Sequence, residues 1–208
     1  LLNECSRKWQ KRYQTLILIP HLLSYVVVSY IAYAFLGAEN GMINYQILRP
    51  LGLDPISFYT EDKYWPFILV FVNIWKTFGY SSIIYFASII GIDRTYYEAA
   101  EVDGASAWTQ IWSITLPLLK PVLITMLLLS VGRILYSDFG LFYQVPMDSG
   151  MLFNTTNTID TFVYRGLLQT NDLGRAAAAN FIQSVMGFFL VLGANLIVRK
   201  VEKEYALF

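Results

Sequence analysis

Four long apolar segments alternate with polar segments along the chain. They cover residues 15–36, 65–92, 118–136 and 176–198, and they contain few charged side chains. At the rise of an α-helix, ~20 residues cross a bilayer core of ~30 Å. Each segment is therefore long enough for one membrane crossing. The pattern predicts an all-α, polytopic helical membrane protein with four spans.

Composition agrees with this class and excludes several others. Hydrophobic residues make up 56% of the 208 residues and charged residues 14%, and the mean hydropathy is +0.47. The 15 basic and 15 acidic residues cancel, so we expect no nucleic-acid partner. One cysteine and one histidine leave no material for a disulfide, a multi-cysteine metal site or a catalytic triad. We therefore assign no catalytic residue, no metal site and no enzymatic activity.

Basic residues near the ends of the apolar segments predict the orientation. On one side lie the N-terminal segment, the connection between the second and third spans, and the C-terminal tail. Nine basic residues fall there: Arg7, Lys8, Lys11, Arg12, Arg94, Lys120, Arg199, Lys200 and Lys203. Four fall on the other side: Arg49, Lys63, Arg165 and Arg175. Because cytoplasmic segments are enriched in Lys and Arg, the first side is predicted to be cytoplasmic.

The connection between the second and third spans, residues 98–117, predicts a short helix, a turn and a second short helix along the membrane face. Alanines favour helix at its start, and Glu98 and Glu101 are predicted in the first turn, where carboxylates complement the helix dipole. Gly104 predicts a bend or a close approach of backbone. Pro117 predicts the start of the next membrane segment, since its ring is excluded from a helix interior.

The same connection carries a pattern at fixed spacing, EAA-x3-G-x9-I-x-LP. Its seven residues are Glu98, Ala99, Ala100, Gly104, Ile114, Leu116 and Pro117. The pattern resembles the cytoplasmic loop of bacterial binding-protein-dependent ABC importer permeases. The resemblance implies that residues 96–117 form the coupling loop, which docks into a groove on an ATPase subunit. It also implies that these seven residues, together with Asp103, serve the coupling to the ATPase.

The resemblance extends along most of the chain. Residues 73–93 look like the helix that precedes the coupling loop in maltose-type sugar permeases. Residues 159–168 and 172–181 look like the outer loop and the final helix of that family. The segment YSDFGLFYQVP, residues 136–146, is similar to permeases for oligosaccharides of the polygalacturonide type. The resemblance implies one transmembrane permease domain over residues 1–208. Such permeases have a six-helix core, so four spans imply a domain that is incomplete at its N-terminus.

The resemblance also implies a set of partners. They are a second permease subunit, two ATP-binding subunits, an extracytoplasmic solute-binding protein, a sugar substrate and the lipid bilayer of a bacterial cytoplasmic membrane. This chain carries no glycine-rich phosphate loop of the P-loop type, so ATP and Mg²⁺ are expected in the partner ATPase and no cofactor is expected here.

Polar residues at membrane depth are the candidates for a substrate path, because such residues normally face a cavity or a protein partner. Asn73, Lys76 and Tyr80 share one helix face at spacings of three and four. Amides suit sugar hydroxyls, and aromatic rings cover the apolar faces of sugar rings. The resemblance places Asn73 and Tyr80 at positions that touch sugar. Helix packing is the alternative for both.

Arg133 interrupts the third span in its outer half, and Ser137 follows it. Both are included in the predicted path. With an anionic substrate, Arg133 and Lys76 are plausible counter-charges. Pairing of either one with a carboxylate or a carbonyl on a neighbouring helix is an equal alternative.

A different class of transporter also accommodates these charges. In an ion-coupled secondary carrier or channel, Lys76, Arg133 and Asp138 would form an ion path. That hypothesis leaves the pattern in residues 98–117 without a purpose.

Overall fold

The computed structural model describes residues 7–201, and this part of the chain contains helices and no β-strand. The α-helices are α1 (Arg7–Leu22), α2 (Tyr25–Leu36), α3 (Trp65–Ile90), α4 (Arg94–Val102), α5 (Ala107–Gln110), α6 (Leu116–Gly132), α7 (Phe153–Thr156), α8 (Ile159–Thr170) and α9 (Leu173–Val201). Short π-helical segments lie at Ile43–Leu48, Ile111–Thr115 and Gly140–Gln144. Short 3-10 segments lie at Arg49–Leu51, Asp62–Tyr64 and Gly150–Leu152. The predicted all-α class is confirmed.

Three helical stretches are long and apolar enough to cross a bilayer: Asp62–Ile90, Ala107–Gly132 and Leu173–Lys200. They correspond to the second, third and fourth predicted spans. The fourth begins three residues before the predicted residue 176, because Asp172 accepts a hydrogen bond from the Arg175 N–H at 3.0 Å and so caps the start of α9.

The first predicted span, residues 15–36, is not one straight helix. The segments Arg12–Leu22 and Tyr25–Leu36 meet at 94°, so the chain has four crossings only if this bent pair counts as one. The second helix of the pair starts anew because Ser24 is extended (φ −67, ψ 152) and its Oγ accepts a hydrogen bond from the Val27 N–H at 3.3 Å. Hydropathy did not reveal the break, because both limbs are apolar.

The third span differs from its predicted boundaries at both ends. Residues 107–132 form one continuous helical run, in which α5 passes through the π-helical turn Ile111–Thr115 into α6. The predicted second short helix along the membrane face was therefore wrong. Arg133 does not interrupt the span but follows its last residue, and its N–H donates to Ser130 O at 3.1 Å.

Contacts divide the chain into two units, of which one comprises Leu18–Phe78 and Tyr136–Gln183. This unit contains a hydrophobic core. Trp65, at the start of α3, is 0% exposed, and its Nε1–H donates to Phe58 O at 2.6 Å. Tyr59 meets the Trp65 ring edge to face at 5.2 Å, and burial raises the pKa of the Tyr59 phenol well above its ordinary value. Around them pack Val28, Ala32, Leu36, Leu69, Val72, Leu141, Val145 and Leu152.

Asn44 fixes the connection between α2 and α3 in the same unit. Its Nδ2 donates to Gly37 O at 3.0 Å and Ile56 O at 2.8 Å, while its Oδ1 accepts from the Ile56 N–H at 2.8 Å. The residue is 4% exposed, so its amide replaces water for backbone groups that would otherwise be unpaired. A long loop is thereby ordered through one side chain.

The other unit comprises Gly79–Leu135 and the chain from Ser184 onward, together with residues that precede Leu18. It contains the C-terminal part of α3, the helices α4 to α6, and the C-terminal part of α9. Gly132 lies close to α9, because a Cβ at this position would meet Val191 Cγ2 at 2.8 Å.

Candidate functional site

The helix α4 holds three of the eight predicted coupling residues, and it starts earlier than the sequence suggested. Asp93 is its N-cap, with Oδ1 accepting from the Thr95 N–H at 3.0 Å. That backbone hydrogen bond, supported by the Thr95 side chain, lowers the pKa of the Asp93 carboxyl. No acidic residue lies in the first turn, so the placement of Glu98 and Glu101 there was wrong. Their side chains are exposed on later turns.

Gly104 ends α4 through hydrogen bonds that explain the spacing EAA-x3-G. The Gly104 N–H donates to Glu101 O at 3.0 Å, and the Ala105 N–H donates to Ala100 O at 2.9 Å. This is a Schellman motif, in which the residue after the cap adopts a left-handed conformation. Gly104 has φ +74, a value that glycine adopts without steric cost. The predicted bend at Gly104 is therefore present, and its cause is the helix terminus.

The second limb of this element leads directly into the membrane helix. Ser106 caps α5, with its Oγ accepting from the Thr109 N–H at 3.3 Å. The π-helical turn Ile111–Thr115 lies just before Leu116 and Pro117, the first two residues of α6. Since proline has no N–H, it leaves one carbonyl of the preceding turn without its helical partner, and a locally widened helix accommodates this change.

One side-chain hydrogen bond ties the two limbs together. The hydroxyls of Tyr97 on α4 and Thr115 lie 2.8 Å apart. Ile114 and Leu116 are half-buried beside this bond. This hydrogen bond is a direct side-chain connection between α4 and the residue that precedes α6.

Several acidic and large apolar residues of this element are exposed. Val102 is 89% exposed, Trp108 72% and Trp112 66%. Glu98 and Asp103 are also exposed, and neither belongs to a salt bridge among the described residues. We call this set of five residues the coupling surface. Exposed apolar side chains together with carboxylates fit an interface with a protein that offers basic side chains.

Among the predicted path residues, Lys76 is engaged inside the protein. Its side chain is 6% exposed, and its Nζ donates to Pro20 O at 3.3 Å, to His21 O at 3.0 Å and to Leu23 O. This geometry corresponds to the alternative in which the charge pairs with carbonyls of a neighbouring helix. Asn73 and Tyr80 differ from Lys76, since both are exposed on α3.

Arg133 and Ser137 have different environments. The Arg133 side chain is exposed, with no acidic partner in the described part of the chain. Ser137 is bonded internally: its N–H and its Oγ donate to Asp160 Oδ2 at 2.6 and 2.7 Å, and its Oγ lies 2.7 Å from the Thr158 hydroxyl. Asp160 also accepts from Gln183 Nε2 at 3.3 Å. Ser137 thus connects the start of its loop to α8.

The sequence did not reveal the role of Asp160. It lies in the first turn of α8 behind the N-cap Thr158, which forms a capping box with Thr161. A carboxylate at this position is common on helices for electrostatic reasons alone. Its partners Ser137 and Gln183 come from other elements, so the local pattern carried no signal for them.

A second cluster that the sequence left unassigned lies between residues 139 and 165. Arg165 pairs with Asp148 at 2.7 Å and lies 4.0 Å from the centre of the Phe153 ring. Phe139, Tyr143 and Tyr164 pack with ring centres 4.7–5.1 Å apart. Burial, followed by the Asp148 charge, raises the pKa of Tyr143. The described residues contain no group of His, Cys, Asp and Glu that could hold a metal ion.

Comparisons with known proteins give a consistent result. A family model described as "Binding-protein-dependent transport system inner membrane component" matches residues 6–203. The protein LplB of Bacillus subtilis is 32% identical over 205 residues, covering 98% of this chain and 64% of LplB. The polygalacturonan/rhamnogalacturonan transport system permease protein YteP of the same organism is 33% identical, covering 98% of this chain and 63% of YteP. This chain therefore spans less than two thirds of either relative.

Solved structures agree with the sequence relatives. One is the crystal structure of a bacterial alginate ABC transporter in complex with an alginate pentasaccharide-bound periplasmic protein. A chain of that complex matches with a TM-score of 0.86 and 34% identity, covering 97% of this chain and 69% of the other. A crystal structure of a bacterial ABC transporter involved in the import of the acidic polysaccharide alginate matches with a TM-score of 0.87.

Proposed function

The chain belongs to the family of binding-protein-dependent transport system inner membrane components, and from this premise we propose that it is a permease subunit of an ATP-driven carbohydrate importer in the bacterial cytoplasmic membrane. The observation that carries the proposal is the element from Asp93 to Thr115. A capped helix, a Schellman turn and a helix continuous with a membrane span form one connected unit with an exposed coupling surface. Such a unit can receive a movement outside the membrane and transmit it to a span.

The sequence also bears on which subunit binds ATP. This chain carries no P-loop sequence, so ATP and Mg²⁺ belong to separate ATP-binding subunits that dock on the coupling surface. A second permease subunit completes the translocation path. An extracytoplasmic solute-binding protein delivers the substrate, in line with the periplasmic protein named for the alginate transporter.

An oligosaccharide is the substrate class that we propose. Among the relatives, one is named for polygalacturonan and rhamnogalacturonan and another for arabinooligosaccharides, and the solved transporters are described for alginate. Exposed Asn73 and Tyr80 on α3 offer an amide and an aromatic ring, the groups that suit sugar hydroxyls and sugar ring faces. Exposed Arg133, just after α6, offers a cation to an acidic sugar.

Uptake measurements in cells that contain the complete transporter, with all its subunits, test the proposal. We expect uptake of a labelled oligosaccharide to stop when ATP is depleted and to continue when a protonophore collapses the ion gradients. The opposite response would favour the ion-coupled carrier. An Arg133→Gln variant should lose more uptake of an oligogalacturonide than of a neutral oligosaccharide. An equal loss for both sugars would remove Arg133 from the substrate path.

A further inference from the structure

At the break between α1 and α2, several backbone carbonyls lack the N–H donor that a continued α-helix would supply, and of these Pro20 O accepts a hydrogen bond from the Leu23 N–H at 3.3 Å. The helix α1 ends at Leu22, and the last carbonyls of a helix have no N–H of the following turn to bond. Three carbonyls at this end, those of Pro20, His21 and Leu23, converge on one point. The Lys76 ammonium occupies that point, with N···O distances of 3.3 Å to Pro20 and 3.0 Å to His21 and a further hydrogen bond to Leu23 O.

Tyr25 covers the ammonium on another side. The Lys76 Nζ lies 4.7 Å from the centre of the Tyr25 ring, and the Tyr25 hydroxyl donates to Asp138 Oδ2 at 2.7 Å. Gly140 allows this arrangement, because a Cβ at that position would lie 2.2 Å from Tyr25 Cδ2. The ammonium is thus enclosed by three carbonyls and an aromatic face, and a carboxylate lies beyond the ring.

Carbonyls of this kind are the usual ligands of monovalent cations in membrane proteins. Unwound backbone and the C-terminal ends of broken helices coordinate Na⁺ in carriers, and rings of carbonyls replace the hydration shell of K⁺ in channels. An ammonium has the same charge and bonds to the same oxygens. We propose that the α1–α2 break is a monovalent-cation site whose cation is the chain's own Lys76 ammonium, and that this tethered cation holds the 94° bend.

Tethering has a consequence for the behaviour of the protein. A dissolved ion would leave the site as its concentration fell, whereas Lys76 arrives on α3 and remains there. The bend in the wild-type protein should therefore be insensitive to the choice of Na⁺ or K⁺. Removal of the lysine side chain should expose a vacant carbonyl site that a small dissolved cation can fill.

Chemical rescue of a Lys76→Ala variant tests this inference. The readout is the thermal melting temperature of the full protein, extracted from its native membranes, in chloride salts of equal ionic strength. We expect Lys76→Ala to melt below the wild type in choline chloride, since choline is too large for the site. Methylammonium or potassium chloride should restore more than half of the lost melting temperature. A variant as stable as the wild type in choline would overturn the proposal, and so would one that neither small cation stabilises.

Two further variants make the result specific. Lys63 is the matched control, because it pairs with Glu61 at 2.6 Å and lies 4.8 Å from the Tyr64 ring, but its side chain is 64% exposed. Lys63→Ala should show no response to the choice of cation. An equal response there would identify a general salt effect and overturn the proposal.

Lys76→Met covers the case in which the alanine variant fails to accumulate. Its apolar side chain fills the space and supplies no hydrogen-bond donor to the three carbonyls. We expect it to melt below the wild type and to be unresponsive to every cation. A melting temperature equal to that of the wild type would show that the carbonyls need no cation.

Discussion

Substitutions at Gly104 can distinguish two reasons for a glycine after α4: the backbone conformation of the turn and the space beside it. Gly104 has φ +74, and a Cβ built on it meets nothing within 4 Å. In this chain, therefore, a side chain at Gly104 is opposed by backbone strain and not by a clash. A residue with a Cβ in the left-handed region costs roughly 1–2 kcal/mol, and a β-branched residue is a greater outlier, whereas asparagine is tolerated there.

These differences predict an order of effects. Since ~1.4 kcal/mol corresponds to a tenfold change in an equilibrium constant, Gly104→Ala should lower the equilibrium constant for forming the turn by about tenfold. Gly104→Val should disrupt the turn further, and Gly104→Asn should largely keep it. If the turn geometry positions the coupling surface, coupling should follow the order Gly, Asn, Ala, Val.

Substrate-stimulated ATP hydrolysis in membrane vesicles is the measurement, with the amount of protein in the membrane determined for each variant. Gly52 provides a matched control, because it has φ +70, nothing within 4 Å of a built Cβ, and a similar hydrogen-bonded turn. Gly52→Val should leave stimulation by substrate intact. Complete uncoupling by Gly104→Asn would refute the reasoning from strain, and would indicate that a partner occupies the space beside Gly104.

Other substitutions address the coupling surface, the fold, the substrate path and the orientation. Glu98→Lys should abolish the stimulation of ATP hydrolysis by substrate, while the amount of protein in the membrane stays normal. The reason is the loss of a charge-assisted hydrogen bond from Glu98 to a basic residue of the ATP-binding subunit, which is worth roughly 1.5–3 kcal/mol; wild-type coupling would contradict this. Asn44→Leu should lower the free energy of unfolding by about 3 kcal/mol, since it leaves buried backbone groups unpaired, and an unchanged melting temperature would count against it. Asn73→Ala and Tyr80→Ala should reduce uptake without changing ATPase binding, whereas normal uptake by both would assign them to packing. A cysteine at Ser106, in a background without other cysteines, should react with an impermeant thiol reagent only from the cytoplasmic side, and labelling from outside would reverse the predicted orientation.

Sequence alone determined the features that depend on neighbouring residues. Length and hydropathy located the apolar stretches in α3, α6 and α9, because the thickness of a bilayer sets the same requirement for any span. The spacing from Glu98 to Gly104 located a helix end, because a Schellman turn is closed by hydrogen bonds within six residues.

Tertiary structure decided what the polar residues inside the membrane do. Lys76 binds backbone carbonyls that lie 53–56 residues away in the sequence. Because every residue carries a backbone carbonyl, no pattern of side chains could predict which ones Lys76 binds. Hydropathy is an average over a segment and contains no direction, which is why the bend at Ser24 did not appear in it. Ser137 and Asp160 are separated by 23 residues and meet only through the packing of their elements. The sequence showed which polar residues lie within the apolar segments. The packing of distant helices determined which groups those residues bind.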